Sequence, residues 1–254
     1  GSLFFHLGFR IMTPPDNPSD SKYCTYCLGR FSEAEMTVDH VIARGWFPAN
    51  TPPVAKWKVP ACRPCNNHYS AIERDLIGRI AFCLDRNDPN VGPIVERALR
   101  AIDPDAGKGT KDTTHRRKRK EALRTEFGTI SSKDALGVLP YFLDSFDEGS
   151  RTGVRIPAAS LDGLVEKWVR GIHFIEMDKV VPADYDVSVQ HVDEETRAEI
   201  LAMIGKHAIV IQKGPGVEVK IVHVEEAGEF ITVYLFNIWN TFRCTASVER
   251  TNSQ

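Results

Sequence analysis

Two Cys-x-x-Cys pairs constrain this chain more than any other feature of its sequence. Cys24 and Cys27 form the first pair, Cys62 and Cys65 form the second, and 34 residues lie between them. Two such pairs are typical of a tetrahedral Zn²⁺ site, which is structural when four protein sulfurs leave no position for water. Unpaired thiols or a redox pair are the alternatives. We expect one zinc ion, which closes a long loop that has little core of its own.

The composition is that of a folded chain. The 254 residues are 42% hydrophobic and 26% charged, close to the average for globular domains. No run approaches the roughly 18 apolar residues of a membrane span, and the apolar patch at 3–5 is too short for a secretory signal. We therefore expect a cytoplasmic protein with no membrane partner. Cys83 and Cys244 stand outside the pairs, and we expect both to be small buried hydrophobes.

The charge is divided unevenly. Residues 1–130 carry a net charge of +5 and residues 131–254 carry −7, which together give −2. No acidic residue occurs between 41 and 72, a stretch that contains Arg44, Lys56, Lys58 and Arg63. These four cations predict contact with nucleic-acid phosphates, although an ordinary solvated face is the alternative. The basic run at 115–120 is equally compatible with phosphate contact and with a disordered linker.

The apolar pattern predicts the order strand, loop, strand, helix around the cysteine pairs. Residues 35–42 and 57–59 have strand character, and residues 45–53, with three prolines, form the loop between them. Apolar residues recur with helical period from 66 to 84, and a second helix is expected at 91–102. We divide this half into an irregular lead-in (1–22), a zinc-bound module with helices (23–103) and a basic linker or helix (104–130).

The acidic half, residues 131–254, is predicted to be a separate α+β domain with antiparallel strands. A helix is expected at 160–174 with Ser160 as its N-cap, followed by a strand at 185–192 and a helix at 194–204. Four more strands are expected at 208–212, 217–224, 230–236 and 241–248. With no catalytic constellation in this half, we expect a specificity, partner-binding or homodimerisation role.

The motif around the cysteines resembles the HNH endonuclease family. Asp39 and His40 lie between the cysteine pairs, and Asn66 follows the second pair directly. The match is closest to bacterial members with Asp-His-Val, Phe-Pro and Val-Pro-Ala-Cys-Arg-x-Cys-Asn-Asn, here at 39–41, 47–48 and 59–67. The resemblance covers residues 23–76 and implies a ββα-metal fold, so that the whole chain is expected to be α+β.

The resemblance also implies a reaction. His40 would be the general base that takes a proton from water, while Asp39 and Asn66 would hold a catalytic Mg²⁺ or Mn²⁺. Neighbouring strand residues point to opposite faces, so Asp39 and His40 would approach the ion and the water from different sides. His68 is a further candidate for the catalytic site, as a metal ligand or phosphate contact. The expected function is metal-dependent endonucleolytic cleavage of DNA, in host defence or mobile-DNA processing.

One departure from the family pattern keeps a second function open. The family places an asparagine in the second strand to orient the histidine, and residues 55–58 contain none, although Asn50 in the loop is a possible substitute. The alternative is a zinc-stabilised module that binds nucleic acid or protein and has lost catalysis.

Overall fold

The computed structural model describes residues 21–49, 51, 57–130, 151–190, 192, 194–204, 208–212, 214–226 and 229–251. Most of the predicted lead-in, Asn50 and Lys56 lie outside the described residues. Mixed helices and antiparallel sheets confirm the α+β class in its general form.

The cysteine pairs are joined by two small hairpins and a helix. Strands β1 (Ser21–Tyr23) and β2 (Arg30–Ser32) pair antiparallel, as do β3 (Met36–His40) and β4 (Lys58–Cys62). Helix α1 (Arg63–Ile80) follows β4 without a connecting loop. The predicted order of strand, strand and helix is confirmed, whereas residues 50, 52 and 53 of the predicted loop lie outside the described residues. Helix α1 begins three residues earlier than expected, and Pro64 is compatible with its first turn.

The segment after α1 contains two further α-helices. Helix α2 (Gly92–Ile102) agrees with expectation, and α3 (Thr110–Thr125) shows that the segment predicted as a basic linker or helix contains a helix, which includes the whole basic run. Straight-chain lysines and arginines are good helix formers, which explains why this run is helical. Strands β5 (Phe127–Ile130) and β6 (Arg151–Val154) form a further hairpin that was not predicted.

The acidic half contains one long helix and one main sheet. Helix α4 (Ala158–Met177) begins after the N-cap Pro157, so the expected cap at Ser160 is wrong: Ser160 lies inside the first turn. Strand β7 (Tyr185–Gln190) and helix α5 (Glu194–Ile204) precede β8 (Ile209–Gln212), β9 (Val217–Glu226), β10 (Glu229–Ile238) and β11 (Phe242–Arg250). The sheet is antiparallel with strand order β7-β11-β10-β9-β8.

A single cluster of buried side chains links the cysteine module to this sheet. The Trp46 ring, just after β3, packs edge-on against Trp168 of α4 and stacks on Trp239, with centroid distances of 5.3 and 5.0 Å. Cys244 is buried as expected. Cys83 is exposed, which corrects the expectation for that residue, because the short helix that carries it lies at the surface. In the described part of the chain, no helix is long and apolar enough to cross a membrane.

Helix α4 approaches the end of β3 unusually closely at a glycine. A Cβ atom at Gly171 would lie 2.5 Å from Cγ2 of Val41, the residue that follows His40. Such a distance is far below van der Waals contact, so only glycine permits this approach. Lys167 lies one helical turn before Gly171 and therefore faces the same region.

Candidate functional site

The four paired cysteines come together as the sequence predicts. Their Sγ atoms all lie within 4.8 Å of one another, and those of Cys27 and Cys62 are 3.9 Å apart. Zn–S bonds of about 2.3 Å in a tetrahedron place sulfurs about 3.8 Å apart, so the cluster has the size of a zinc site. Among the described residues, this is the one group of three or more potential His, Cys, Asp or Glu ligands. The four cysteines could hold a structural zinc ion.

Local backbone structure explains how the two pairs meet. The first pair lies in the turn between β1 and β2, where the backbone N–H of Cys24 donates to Gly29 and that of Leu28 donates to Cys24. The second pair brackets the start of α1, with Cys62 as its N-cap. The N–H of Thr25 donates to the carbonyl of Pro60 at 3.0 Å and joins the turn to β4. A zinc ion here would fix the start of α1 relative to both hairpins.

The β3–β4 hairpin presents Asp39 and His40 to opposite sides. Asp39 pairs with Val59 and His40 pairs with Lys58 in the antiparallel register. Asp39 and Val59 are buried, whereas Lys58 is exposed and His40 is half-buried. The alternation follows the two-residue period of a strand and agrees with the predicted separation of the two side chains.

The outward face of the hairpin is cationic around His40. Burial lowers the pKa of His40 below its ordinary value, and the positive charges of Lys58, Arg44 and Lys167 lower it further, against the opposing effect of Asp39. The imidazole is therefore neutral at physiological pH and can accept a proton. The exposed side chains of Lys58 and Arg44 add two positive charges beside it.

The inward face places Asp39 in a buried ion cluster. Its Oδ2 lies 2.9 Å from Nζ of Lys167 and accepts a hydrogen bond from the Tyr26 hydroxyl at 2.9 Å. Its Oδ1 accepts from the backbone N–H of His40 at 2.8 Å. The ammonium of Lys167 also donates to Oε1 of Glu73 at 2.5 Å and to the carbonyl oxygen of His40 at 2.8 Å. The ammonium group of Lys167 therefore has two hydrogen-bond acceptors and an ion pair with Asp39.

Burial controls protonation within this cluster. Desolvation raises the pKa of Glu73 to about 7, and the ammonium of Lys167 only partly offsets that effect. Desolvation and the neighbouring carboxylate of Asp39 raise the pKa of Tyr26 far above its usual range, so its hydroxyl remains a donor. The Lys167 side chain has no exposed surface, and those of Asp39 and Glu73 are 9% and 7% exposed. The cluster is thus closed to bulk water.

The other predicted helix residues are less closely involved. Asn66 lies in the second turn of α1, and its Nδ2 is 3.5 Å from Oγ1 of Thr37, which shares the inward face of β3 with Asp39. Its Oδ1 accepts from Ser70 at 3.3 Å. His68 is exposed and packs edge-on against Tyr69, with a centroid distance of 5.2 Å. Asn66 therefore lies on the Asp39 side of the hairpin, whereas the ring contact of His68 is with Tyr69.

Of the four predicted phosphate contacts, Lys58 and Arg44 lie near His40. Arg63 is exposed at the start of α1, where its Nε donates to the carbonyl oxygen of Ala34. Lys56 is outside the described residues.

These residues, as arranged, do not fit the catalytic divalent ion that the resemblance implies. Mg²⁺ needs near-octahedral oxygen ligands at about 2.1 Å and usually keeps several waters. Oδ2 of Asp39 accepts a hydrogen bond from the Tyr26 hydroxyl and forms an ion pair with the Lys167 ammonium, which lies 2.9 Å away. The amide of Asn66 is engaged by Thr37 and Ser70. The Mg²⁺ or Mn²⁺ site therefore stays a prediction without structural support.

Sequence reasoning missed three members of the cluster: Tyr26, Glu73 and Lys167. The strongest available signal was at Lys167, which follows Leu164 by three residues and precedes Gly171 by four, inside the apolar stripe of α4. A lysine at such a position is rare unless it is paired. Glu73 lies seven residues after Asn66 and therefore shares its helix face.

The fold and the site together define an α+β protein with a four-cysteine cluster of zinc-site dimensions and a buried ion cluster beneath a histidine. No protein-family model, no curated protein and no solved structure matches the chain.

Proposed function

We propose that this protein is a zinc-stabilised, HNH-like nuclease that binds nucleic acid at the outward face of the β3–β4 hairpin and cleaves a phosphodiester bond there. One observation carries the proposal: a half-buried His40 lies directly opposite the exposed Lys58 in the hairpin register, with Arg44 close by. A phosphate needs cations to neutralise it, and its attacking nucleophile needs a base.

Each residue of this face has a distinct role in the proposed cleavage. Lys58 and Arg44 bind the phosphate oxygens and offset the negative charge that grows during attack. Neutral His40 takes the proton of the attacking hydroxyl or water. Buried Asp39 accepts from the backbone N–H of His40, and Lys167 donates to the His40 carbonyl, so both sides of this residue's backbone are held in place.

Helix α3 adds a second cationic surface to the proposal. Its exposed cations are Lys111, Arg117, Lys118, Lys120 and Arg124. Arg116 is instead tied to Asp112 and to the carbonyl of Arg100, and Arg119 to the carbonyl of Arg74, so these two hold the helix onto the fold. The exposed cations would extend contact along a polyanion.

Binding without cleavage is the second candidate, and the Lys167–Asp39 ion pair favours it. A carboxylate that is committed to a buried ammonium is not free to serve the reaction. The outward cations would bind nucleic acid in either case, so binding alone does not separate the two functions.

The test compares His40→Ala, Lys58→Ala and Lys179→Ala with the wild type on single-stranded and duplex DNA and on RNA. Lys179 is exposed after α4 and serves as the control for loss of one positive charge. We expect Lys58→Ala to weaken binding in fluorescence anisotropy and His40→Ala to abolish cleavage while retaining binding. No cleavage by wild type with intact binding would support the second candidate. Binding of all four proteins with equal affinity would overturn both.

A further inference from the structure

We propose that Lys167 is the resident cation of the Asp39–Glu73 pair and that it excludes a divalent ion from Asp39. The inference concerns the buried side of the hairpin and rests on the contacts of Lys167 rather than on the proposed function. It departs from the HNH resemblance, which assigns Asp39 to a divalent ion.

The Nζ atom of Lys167 donates hydrogen bonds to Glu73 at 2.5 Å and to the carbonyl oxygen of His40 at 2.8 Å, and it forms an ion pair with Asp39 at 2.9 Å. The rings of Tyr26 and Tyr69 lie around the same ammonium, with centroids 5.8 and 5.7 Å away. Two carboxylates, a carbonyl and two aromatic faces form a complete environment for one cation.

An ion bound to Asp39 would lie within a few ångströms of a buried ammonium, where repulsion is stronger than in water. If an ion displaced the ammonium from Asp39, the Lys167 side chain would remain charged and fully buried but would lose its acidic partners. Uncompensated buried charges are strongly disfavoured, so the ion cannot enter by simple exchange.

Gly171 lets α4 approach Val41 so closely that an added Cβ would clash, and this approach places Lys167 beneath the end of β3. The cation is therefore supplied by the second half of the chain to two acids of the first half. The ammonium of Lys167, which is part of the protein chain, occupies the place that the HNH resemblance assigns to an exchangeable divalent ion.

The test is a Mn²⁺ titration of zinc-loaded protein followed by electron paramagnetic resonance. Wild type, Asp39→Asn and Lys167→Met are compared, since methionine keeps a similar unbranched length without the charge. We expect no Asp39-dependent Mn²⁺ binding in the wild type up to millimolar ion. We expect Lys167→Met to gain one Mn²⁺ site, and a further Glu73→Gln change to remove it.

Two results would overturn the inference that Lys167 excludes a divalent ion from Asp39. A wild-type Mn²⁺ site that disappears in Asp39→Asn overturns the inference, as does a folded Lys167→Met protein with one zinc and no Mn²⁺ site. If Lys167→Met does not fold, the Lys ammonium ¹⁵N signal in wild type decides. A protected signal that survives equimolar Mn²⁺ supports a resident ammonium, and broadening of that signal overturns it. These measurements contain no nucleic acid, so their results do not depend on whether the proposed nuclease function is correct.

Discussion

Replacing Gly171 with alanine tests the close approach of α4 to β3. The added Cβ would lie 2.5 and 2.7 Å from the two γ-carbons of Val41, whereas ordinary carbon contacts are about 3.5–4.0 Å. The helix or the valine must therefore move by about 1 Å. Overpacking of this kind costs about 1–3 kcal/mol, and Val41 cannot easily turn away because it is fully buried and β-branched.

Gly163 in the same helix provides the matched control. A Cβ at Gly163 meets nothing within 4 Å. Alanine gains about 1 kcal/mol of helix propensity over glycine at either position, so this gain cancels when the two variants are compared. We expect Gly163→Ala to be more stable than Gly171→Ala by about 1–3 kcal/mol.

Urea unfolding of the zinc-loaded proteins measures this difference. The double variant Val41→Ala with Gly171→Ala should recover part of the loss, because the shortened side chain makes room for the new methyl group. Equal stabilities of Gly171→Ala and Gly163→Ala would refute the close approach and, with it, the path by which Lys167 reaches β3.

Three further predictions concern pH, metal and salt. Burial lowers the pKa of His173, whose Nδ1 lies 2.9 Å from the Tyr234 hydroxyl, to about 4, so the folded protein keeps this histidine neutral while the unfolded chain protonates near 6.5. Its contribution to stability should be complete above pH 6.5 and fall by about 1–3 kcal/mol as pH drops toward 4; His173→Gln should flatten this slope in unfolding curves. Cys27→Ser should lower zinc content and thermal stability, whereas Cys83→Ser, also exposed, should change neither when zinc is measured by mass spectrometry. Lys58→Ala should reduce the slope of log affinity for DNA against log salt by about 1, and an unchanged slope would place the phosphate elsewhere.

The sequence predicts best where chemistry is local. The spacing of the cysteine pairs was enough to predict the four-sulfur cluster, and helical periodicity located α1. Strand alternation correctly separated Asp39 from His40. Each of these features depends on residues that are near one another in the chain or on a strong metal-ligand pattern.

The partner of Asp39 could not be predicted in the same way. Lys167 is 128 residues away, and its position depends on how α4 packs against the hairpin. That packing is possible because Gly171 has no side chain. A glycine in a helical segment does not indicate which other element packs against it. The strands of the β5–β6 hairpin were missed for a similar reason, since each is four residues long and finds its partner across 20 intervening residues.

The shared ion cluster limits how this protein can be dissected. A fragment that ends after α2 would retain the four cysteines and both acids of the cluster, but it would lack the ammonium that neutralises them and the two tryptophans, Trp168 and Trp239, that pack against Trp46. Zinc loading of such a fragment would therefore report on the sulfur site alone. Experiments on the outward face of the β3–β4 hairpin around His40 therefore need the whole chain. Helix α4 of the second half contributes Lys167, the buried positive charge beneath that face.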